Sequence, residues 1–299
     1  VTAERPVASG RRFGSLVWRS RSARAGLLLV AALIACAVLA DWLAPGDPSA
    51  LGPENERLES PSWRHPLGTD PLGRDELARL IHGSRVSLLV GWVGVAVAVL
   101  CGGLVGLAAG LGPRPLDRGL MALTDVFLAF PRVFLILLLV SLTSPSLLLV
   151  MAVLGLTGWM GVARLVRAET LSLKERDFIA AARGLGIGRW RLAVRHILPN
   201  VLPTIIVAAA LRVGNMILLE SFLSFLGLGA QPPSVSWGAM IDQGRAYLLE
   251  GWWLATFPGL AITLTVVGYN LLGDGLRDAL DPRGPSQGSG DARWIAPRR

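Results

Sequence analysis

Charge, thiols and imidazoles are scarce in this chain of 299 residues. It has two cysteines, three histidines and a single lysine, and only 17% of its residues are charged. Cys36 and Cys101 both sit inside apolar runs, which excludes a disulfide framework and a thiolate metal site. No H-E-x-x-H pair occurs, and neither cysteine is placed with a histidine. The lysine, Lys174, stands between Leu173 and Glu175, so no G-x-x-x-x-G-K-[ST] phosphate loop exists and the sequence holds no ATP-hydrolysing machinery of its own. What is abundant is hydrocarbon. Hydrophobic residues make up 52% before 35 glycines are counted, and the mean hydropathy is +0.53. Soluble domains reach only ~45–50% with glycine included. The composition excludes a disordered chain and argues against a soluble enzyme. The net charge of +8 sets orientation in a membrane; no nucleic-acid partner is expected.

A helix needs about 20 apolar residues to cross ~30 Å of hydrocarbon. Six stretches qualify: 25–44, 86–111, 120–142, 147–163, 201–228 and 251–273. The first is free of charge until Asp41, and the second and sixth carry none. Basic residues in the links set the direction. One side has six arginines before the first span, two at 114 and 118, eight basic residues between 164 and 200, and five after the sixth span. The other side carries six. Both termini are therefore expected in the cytoplasm, with 1–24 and 284–299 as basic cytoplasmic tails, the latter unstructured. One competing reading takes the Arg-rich start, the first apolar run and Val38-Leu39-Ala40 as a cleaved signal peptide, leaving five spans.

Between the first two spans, residues 45–85 form an extracytoplasmic loop punctuated by Pro and Gly, with turns in place of regular structure. A short surface helix is expected at 75–81. His65, near Asp70 and Asp75, lacks the companion ligands of a metal site, and a structured loop is the simpler reading.

Four charges fall inside expected spans: Asp125, Arg132, Arg212 and Glu220. At a lipid-facing helix centre each costs about 2.5–3.5 kcal/mol, so each should face protein or water. Asp125 and Arg132 lie seven apart, ~10 Å along one face, too far to pair directly. Pro131 between them is expected to kink the third span. The four are candidates to line a path for a charged substrate; the alternative is ion pairing between helices or subunits. Ser221 and Ser224 read as small packing residues in the fifth span.

The segment 167–200 is the most informative. Ser172-Leu173-Lys174-Glu175 matches a capping box and predicts a helix over 173–183, ~16 Å long, ending near Gly184 and Gly186. Phe178, Ala181, Ala182 and Leu185 form an apolar stripe with small residues at its centre; Trp190, Ala193, Val194 and Ile197 repeat the spacing. Pro199 is expected to end that second helix at the entry to span five. The hairpin is too small to bury a core and must lie on the bilayer, on the rest of the chain, or on a partner.

Here the residues resemble a family. Ala180-Ala181-Ala182, Gly186 four residues on, then Ile197-Leu198-Pro199 are similar to the EAA loop of ABC importer permeases. Position 180 is Ala where the pattern has Glu, and His196 stands where Ile is usual. His65-Pro66-Leu67-Gly68-Thr69-Asp70 with Gly73-Arg74-Asp75, Leu223-Ser224-Phe225-Leu226-Gly227-Leu228-Gly229, Gln231-Pro232-Pro233 with Trp237-Gly238, and 270–278 point the same way. Together, over roughly 24–283, they resemble the C-type permease subunit of dipeptide and oligopeptide ABC importers.

The resemblance implies an all-α, six-span permease of the type I importer fold, multi-pass in a bacterial inner membrane and half of a heterodimeric path. It implies a second, B-type permease subunit, two ATP-binding subunits or one fused ATPase, and an extracytoplasmic substrate-binding protein. ATP and Mg would be used by those partners, with no cofactor bound by this chain. Phe178, Ala180, Ala181, Ala182, Arg183 and Gly186 would couple to the ATPase. His65, Asp70, Arg74, Asp75 and Trp237 would contact the binding protein. Peptide, heme, glutathione and nickel chelates all remain as substrates. The rival functions are a self-sufficient ion-coupled secondary transporter and a non-transporting scaffold.

Overall fold

The computed structural model describes residues 20–142 and 146–280, so most of the tail 1–24 and all of the tail 284–299, expected to be unstructured, lie outside the described residues. Ser20 opens helix α1 (Arg21–Val38) by accepting a hydrogen bond from the Ala23 amide at 3.3 Å. A helical turn, Ala40–Leu43, follows it. The next helix, α2 (Glu76–Leu111), starts where Asp75 Oδ2 accepts from the Ala78 amide at 2.8 Å. Expected here were a short surface helix at 75–81 and a separate span from 86. Instead the surface helix is the first part of one 36-residue helix. No proline interrupts 76–111, so a helix nucleated at the Asp75 cap propagates. At 1.5 Å per residue α2 is ~54 Å long, well beyond the hydrocarbon thickness, and its first turns project from the apolar segment.

The stretch expected as one span at 120–142 is two helices, α3 (Arg114–Ala129) and α4 (Arg132–Ser141), bent by 82° at the break. Phe130 between them is extended (φ −87°, ψ 133°), the conformation that the clash with Pro131 forces on the preceding residue. Proline thus does more than the expected kink, and Asp125 and Arg132 do not share one helix face.

Helices α5 (Leu147–Leu156) and α6 (Trp159–Lys174) form a 28-residue helical run with a turn at Thr157-Gly158, long and apolar enough in part to cross a membrane. The fourth span does not close at 163, because no breaker occurs in 164–174 and its residues are mostly good helix formers. Ser172, expected as a cap, is therefore inside α6. The hairpin helix α7 (Asp177–Gly184) begins after Arg176 with no side-chain cap. Its eight residues span ~12 Å, less than the ~16 Å expected.

A short helix, Arg189–Leu192, passes through a π-helical turn, Ala193–Ile197, into α8 (Leu198–Phe225). Pro199 was expected to stop a helix. It sits in the first turn of α8, where an amide hydrogen is dispensable, and the path from Arg189 to Phe225 is helical throughout. Two more helices complete the fold, α9 (Trp237–Gly244) and α10 (Trp253–Leu280).

α2 is central and packs along α6, α8, α5 and α1, while α10 covers α1 and α8. Contact with α6 depends on three glycines one turn apart. A Cβ on Gly102, Gly106 or Gly110 would lie 2.5 Å from the Trp159 carbonyl, 2.6 Å from the Ala163 carbonyl and 2.6 Å from Thr170 Cγ2. Their absence lets the backbones approach closely, the usual basis of helix association where solvent gives no hydrophobic drive. By length and composition the described residues supply five helices able to cross a membrane, or six with the bent α3–α4 pair. One end of the bundle carries 45–75 and α9 (the loop end); α7 and its flanking turns form the hairpin end.

Candidate functional site

At the hairpin end, α7 is held from beneath. Ile179 and Ala182 are buried with Leu173, Leu192, Ile197 and Val201. Lys174 Nζ donates to the Gly110 carbonyl at 2.7 Å, tying the base of the hairpin to the end of α2. Arg167 grips Asp117 of α3 with two hydrogen bonds, at 2.5 and 2.8 Å. Gly186 makes the turn after α7 at φ +77°, the left-handed region, and the Gly186 amide donates to the Arg183 carbonyl at 2.9 Å. The outward face holds Phe178 (40% exposed), Ala180, Ala181, Arg183 and Leu185 (83% exposed). The expected stripe is therefore split: Ala182 is on the inward face, and Phe178, Ala181 and Leu185 are presented outward. The hairpin is thus packed on its inner face and exposes an apolar outer one.

At the loop end, the residues expected to contact a binding protein are mostly occupied within the chain. Asp70, buried, accepts from the amides of Leu72 (2.8 Å) and Arg74 (2.9 Å), from Arg74 Nε (2.6 Å), and from the Arg79 guanidinium. Both arginines also reach Gln243 Oε1 of α9, at 3.0 and 2.6 Å. Asp75 caps α2 and pairs with His65 Nδ1 at 3.0 Å. Trp237 is 1% exposed; its indole donates to the Leu80 carbonyl (3.0 Å) and its amide to Ser87 (3.1 Å). Asp70 and Trp237 therefore offer no outer surface, contrary to expectation. Their polar atoms are consumed in welding the loop, α2 and α9 into one cap. Burial pushes the carboxyl of Glu76, in the projecting first turn of α2, up to about 7 against the opposing pull of Arg79. No group of three or more metal-ligating side chains occurs among the described residues.

The four charges expected in the path separate into three settings. Asp125 binds Arg164 at 2.5 Å on an exposed face. Glu220 is fully buried among serines: Ser224 Oγ donates to its Oε1 at 2.7 Å, with Ser221 and Ser87 at 3.4 and 3.5 Å. It therefore belongs to the junction of α2, α8 and the turn before α9, and is not brought to a cavity. Arg132 and Arg212 do converge. With Asn215, Met216, Leu218 and Leu219 they line a half-open cavity of about 300 Å³ halfway along α8. Arg132 donates to the Leu154 carbonyl at 3.1 Å and to Met216 Sδ at 3.4 Å, and its buried Nε has no partner. The Arg212 guanidinium passes over Gly161, where a Cβ would lie 2.7 Å from it. No local sequence pattern signals this convergence, because Arg132 reaches the cavity from beyond the 82° bend. The glycine spacing at 102, 106 and 110, by contrast, was there to be read.

Residues 102–284 match the family described as binding-protein-dependent transport system inner membrane component. The chain is 41% identical over 279 residues to the di/tripeptide transport system permease protein DppC of Pseudomonas aeruginosa (89% of this chain, 91% of that one). It is 39% identical to the probable D,D-dipeptide transport system permease protein DdpC of Escherichia coli (95% and 96%). It is also 41% identical to the glutathione transport system permease protein GsiD of Pectobacterium atrosepticum (91% of each). In fold it is similar to a chain of the inward-facing MetNI methionine ABC transporter, with a TM-score of 0.56 at 19% identity over 68% of this chain and 96% of that one. The chain belongs to the binding-protein-dependent permease family and has the type I importer fold. It is a permease subunit of an ABC importer.

Proposed function

We propose that the chain forms half of the path of an ATP-driven importer of short peptides, with α7 as its contact with a separate ATPase. The observation that carries this is the outward Phe178–Ala181–Leu185 face on a hairpin whose inner face is packed and whose base is pinned by Lys174. The names of the similar permeases support the peptide substrate class. α7 is joined to α6 by two residues and leads through Arg189–Ile197 into α8, so a pull on it is delivered to two long helices together. ATP-driven closure of two ATPases would draw this hairpin towards its counterpart on a second permease subunit and tilt the helices. The binding protein would dock at the loop end, which lies outside, and both termini would be cytoplasmic. ATP and the docked binding protein would favour the same outward-open state and so raise each other's affinity. The path includes the Arg132–Arg212 cavity.

The test is reconstitution. Vesicles containing this subunit, its permease partner and the ATPase should accumulate a labelled tripeptide only with ATP inside the binding cycle and the binding protein present. Uptake by this chain alone under an ion gradient would establish the secondary-transporter alternative.

A further inference from the structure

Two guanidinium groups from different helices share one cavity, and among the described residues no carboxylate lines it. Of the acids within reach in sequence, Asp125 is committed to Arg164 and Glu220 to a shell of serines. Among the described residues, neither Arg132 nor Arg212 has an ion-pair partner. Arg132 has only a carbonyl and a thioether, and its Nε is buried and unbonded. Arg132 is also the first residue of α4, whose opening turn has no side-chain cap and no acidic residue. The positive end of that helix adds to the local potential. Two like charges that converge on one half-open cavity repel each other unless an anion joins them, and the planar guanidinium fork matches a carboxylate. Asn215, one turn along α8 from Arg212, supplies amide groups beside them on the same cavity wall.

We infer that this cavity is a carboxylate site, which holds the free C-terminal carboxylate of the transported peptide between Arg132 and Arg212, with Asn215 facing the adjoining amide. The inference deepens the peptide-import reading and rests on it. The site would make the permease itself a second filter, favouring substrates with a free carboxylate after the binding protein has made its own choice.

The experiment uses the assembled complex without binding protein. Binding of Ala-Ala and of its C-terminal amide is followed by saturation-transfer NMR for wild type, Arg132→Gln, Arg212→Gln and Arg212→Lys. The wild type is expected to hold the acid on the order of tenfold more tightly than the amide. Either glutamine variant should bring the two ligands level, and Arg212→Lys should restore part of the preference. Equal binding of acid and amide by the wild type, or a preference unchanged in both glutamine variants, overturns the inference. So does loss of the second permease subunit from the glutamine complexes, which would show that the arginines serve a carboxylate of that subunit. Failure of the peptide reading is separable: vesicles that accumulate neither peptide refute it, and acetate against acetamide binding then decides the carboxylate site alone.

Discussion

Lys174, the only lysine in the chain, donates its ammonium to the carbonyl of Gly110 across 63 intervening residues, at 2.7 Å. The carbonyl is the penultimate residue of α2, and the lysine is the last of α6. This bond ties the point where the hairpin leaves the bundle to the end of α2. A hydrogen bond to a charged group contributes on the order of 1.5–3 kcal/mol, less where water competes. Lys174→Met should therefore leave the fold intact and loosen the hairpin. The expected readout is faster amide hydrogen exchange at 177–184 by several-fold, with protection of α2 unchanged. Uptake should fall more than ATP hydrolysis does, because a slack handle transmits less of the motor's stroke. Unchanged exchange in the hairpin would refute the pinning role.

Gly186 offers a cleaner test of the hairpin because its Cβ position is empty. Nothing lies within 4 Å of it, so Gly186→Ala brings no clash. Any cost comes from the φ of +77°, about 1–2 kcal/mol for a residue with a Cβ. Gly186→Ala should weaken co-purification of the ATPase by roughly tenfold. Gly188→Ala, equally uncrowded and with a negative φ of −62°, should not. Equal retention of the ATPase by both variants would show that the turn geometry is irrelevant to docking.

The parts of the fold that were legible in the sequence are those set by local chemistry. Apolar length located the helices, and Asp75 stands as the cap where the expected helix 75–81 begins. The EAA-like residues and Gly186 lie in a helix and turn as their spacing implied. What was not legible depends on whether a helix continues or stops. Ser172 has the composition of a cap but sits in a sequence with no reason to break, and helix propagation prevailed. Pro199 reads as a stop, yet the π-helical turn before it places it where its missing amide is harmless. Side-chain partners were the least legible. Glu220 and Arg212, eight residues apart on one helix, looked equivalent; one is enclosed by serines from three elements and the other is left without an acid.

The glycine seam between α2 and α6 predicts a sharp contrast between neighbours. A side chain at Gly106 would overlap the Ala163 carbonyl and Val166, all within 3.0 Å, and backbone cannot move aside cheaply. Gly106→Val should force the helices apart and destabilise the subunit by several kcal/mol, an overpacking cost at the upper end of the usual range. Little intact complex should then be recovered from the membrane. Gly103→Ala, three residues earlier with nothing within 4 Å of its Cβ, should be recovered at wild-type yield and slightly stabilised by the gain in helix propensity. Similar yields for the two variants would contradict the close packing.

Glu76 sets a pH dependence at the loop end. It is 1% exposed, and burial raises its pKa from 4.5 to about 7, with Arg79 and Arg74 pulling it down and Asp70 and Asp75 pushing it up. His65, hydrogen-bonded to Asp75, also faces this cluster. With the folded-state pKa above the unfolded one, the native state binds the extra proton between about pH 4.5 and 7. Stability must then fall as pH rises through that window and level off above it, because unfolding releases the proton. The thermal midpoint of the purified complex should accordingly drop between about pH 5 and 7. Glu76→Gln keeps the shape of the side chain and removes its charge, so its midpoint should match or exceed the wild type at neutral pH and lose most of the slope. If the slope persists in Glu76→Gln, Glu76 does not set it and is ionised in the folded cap.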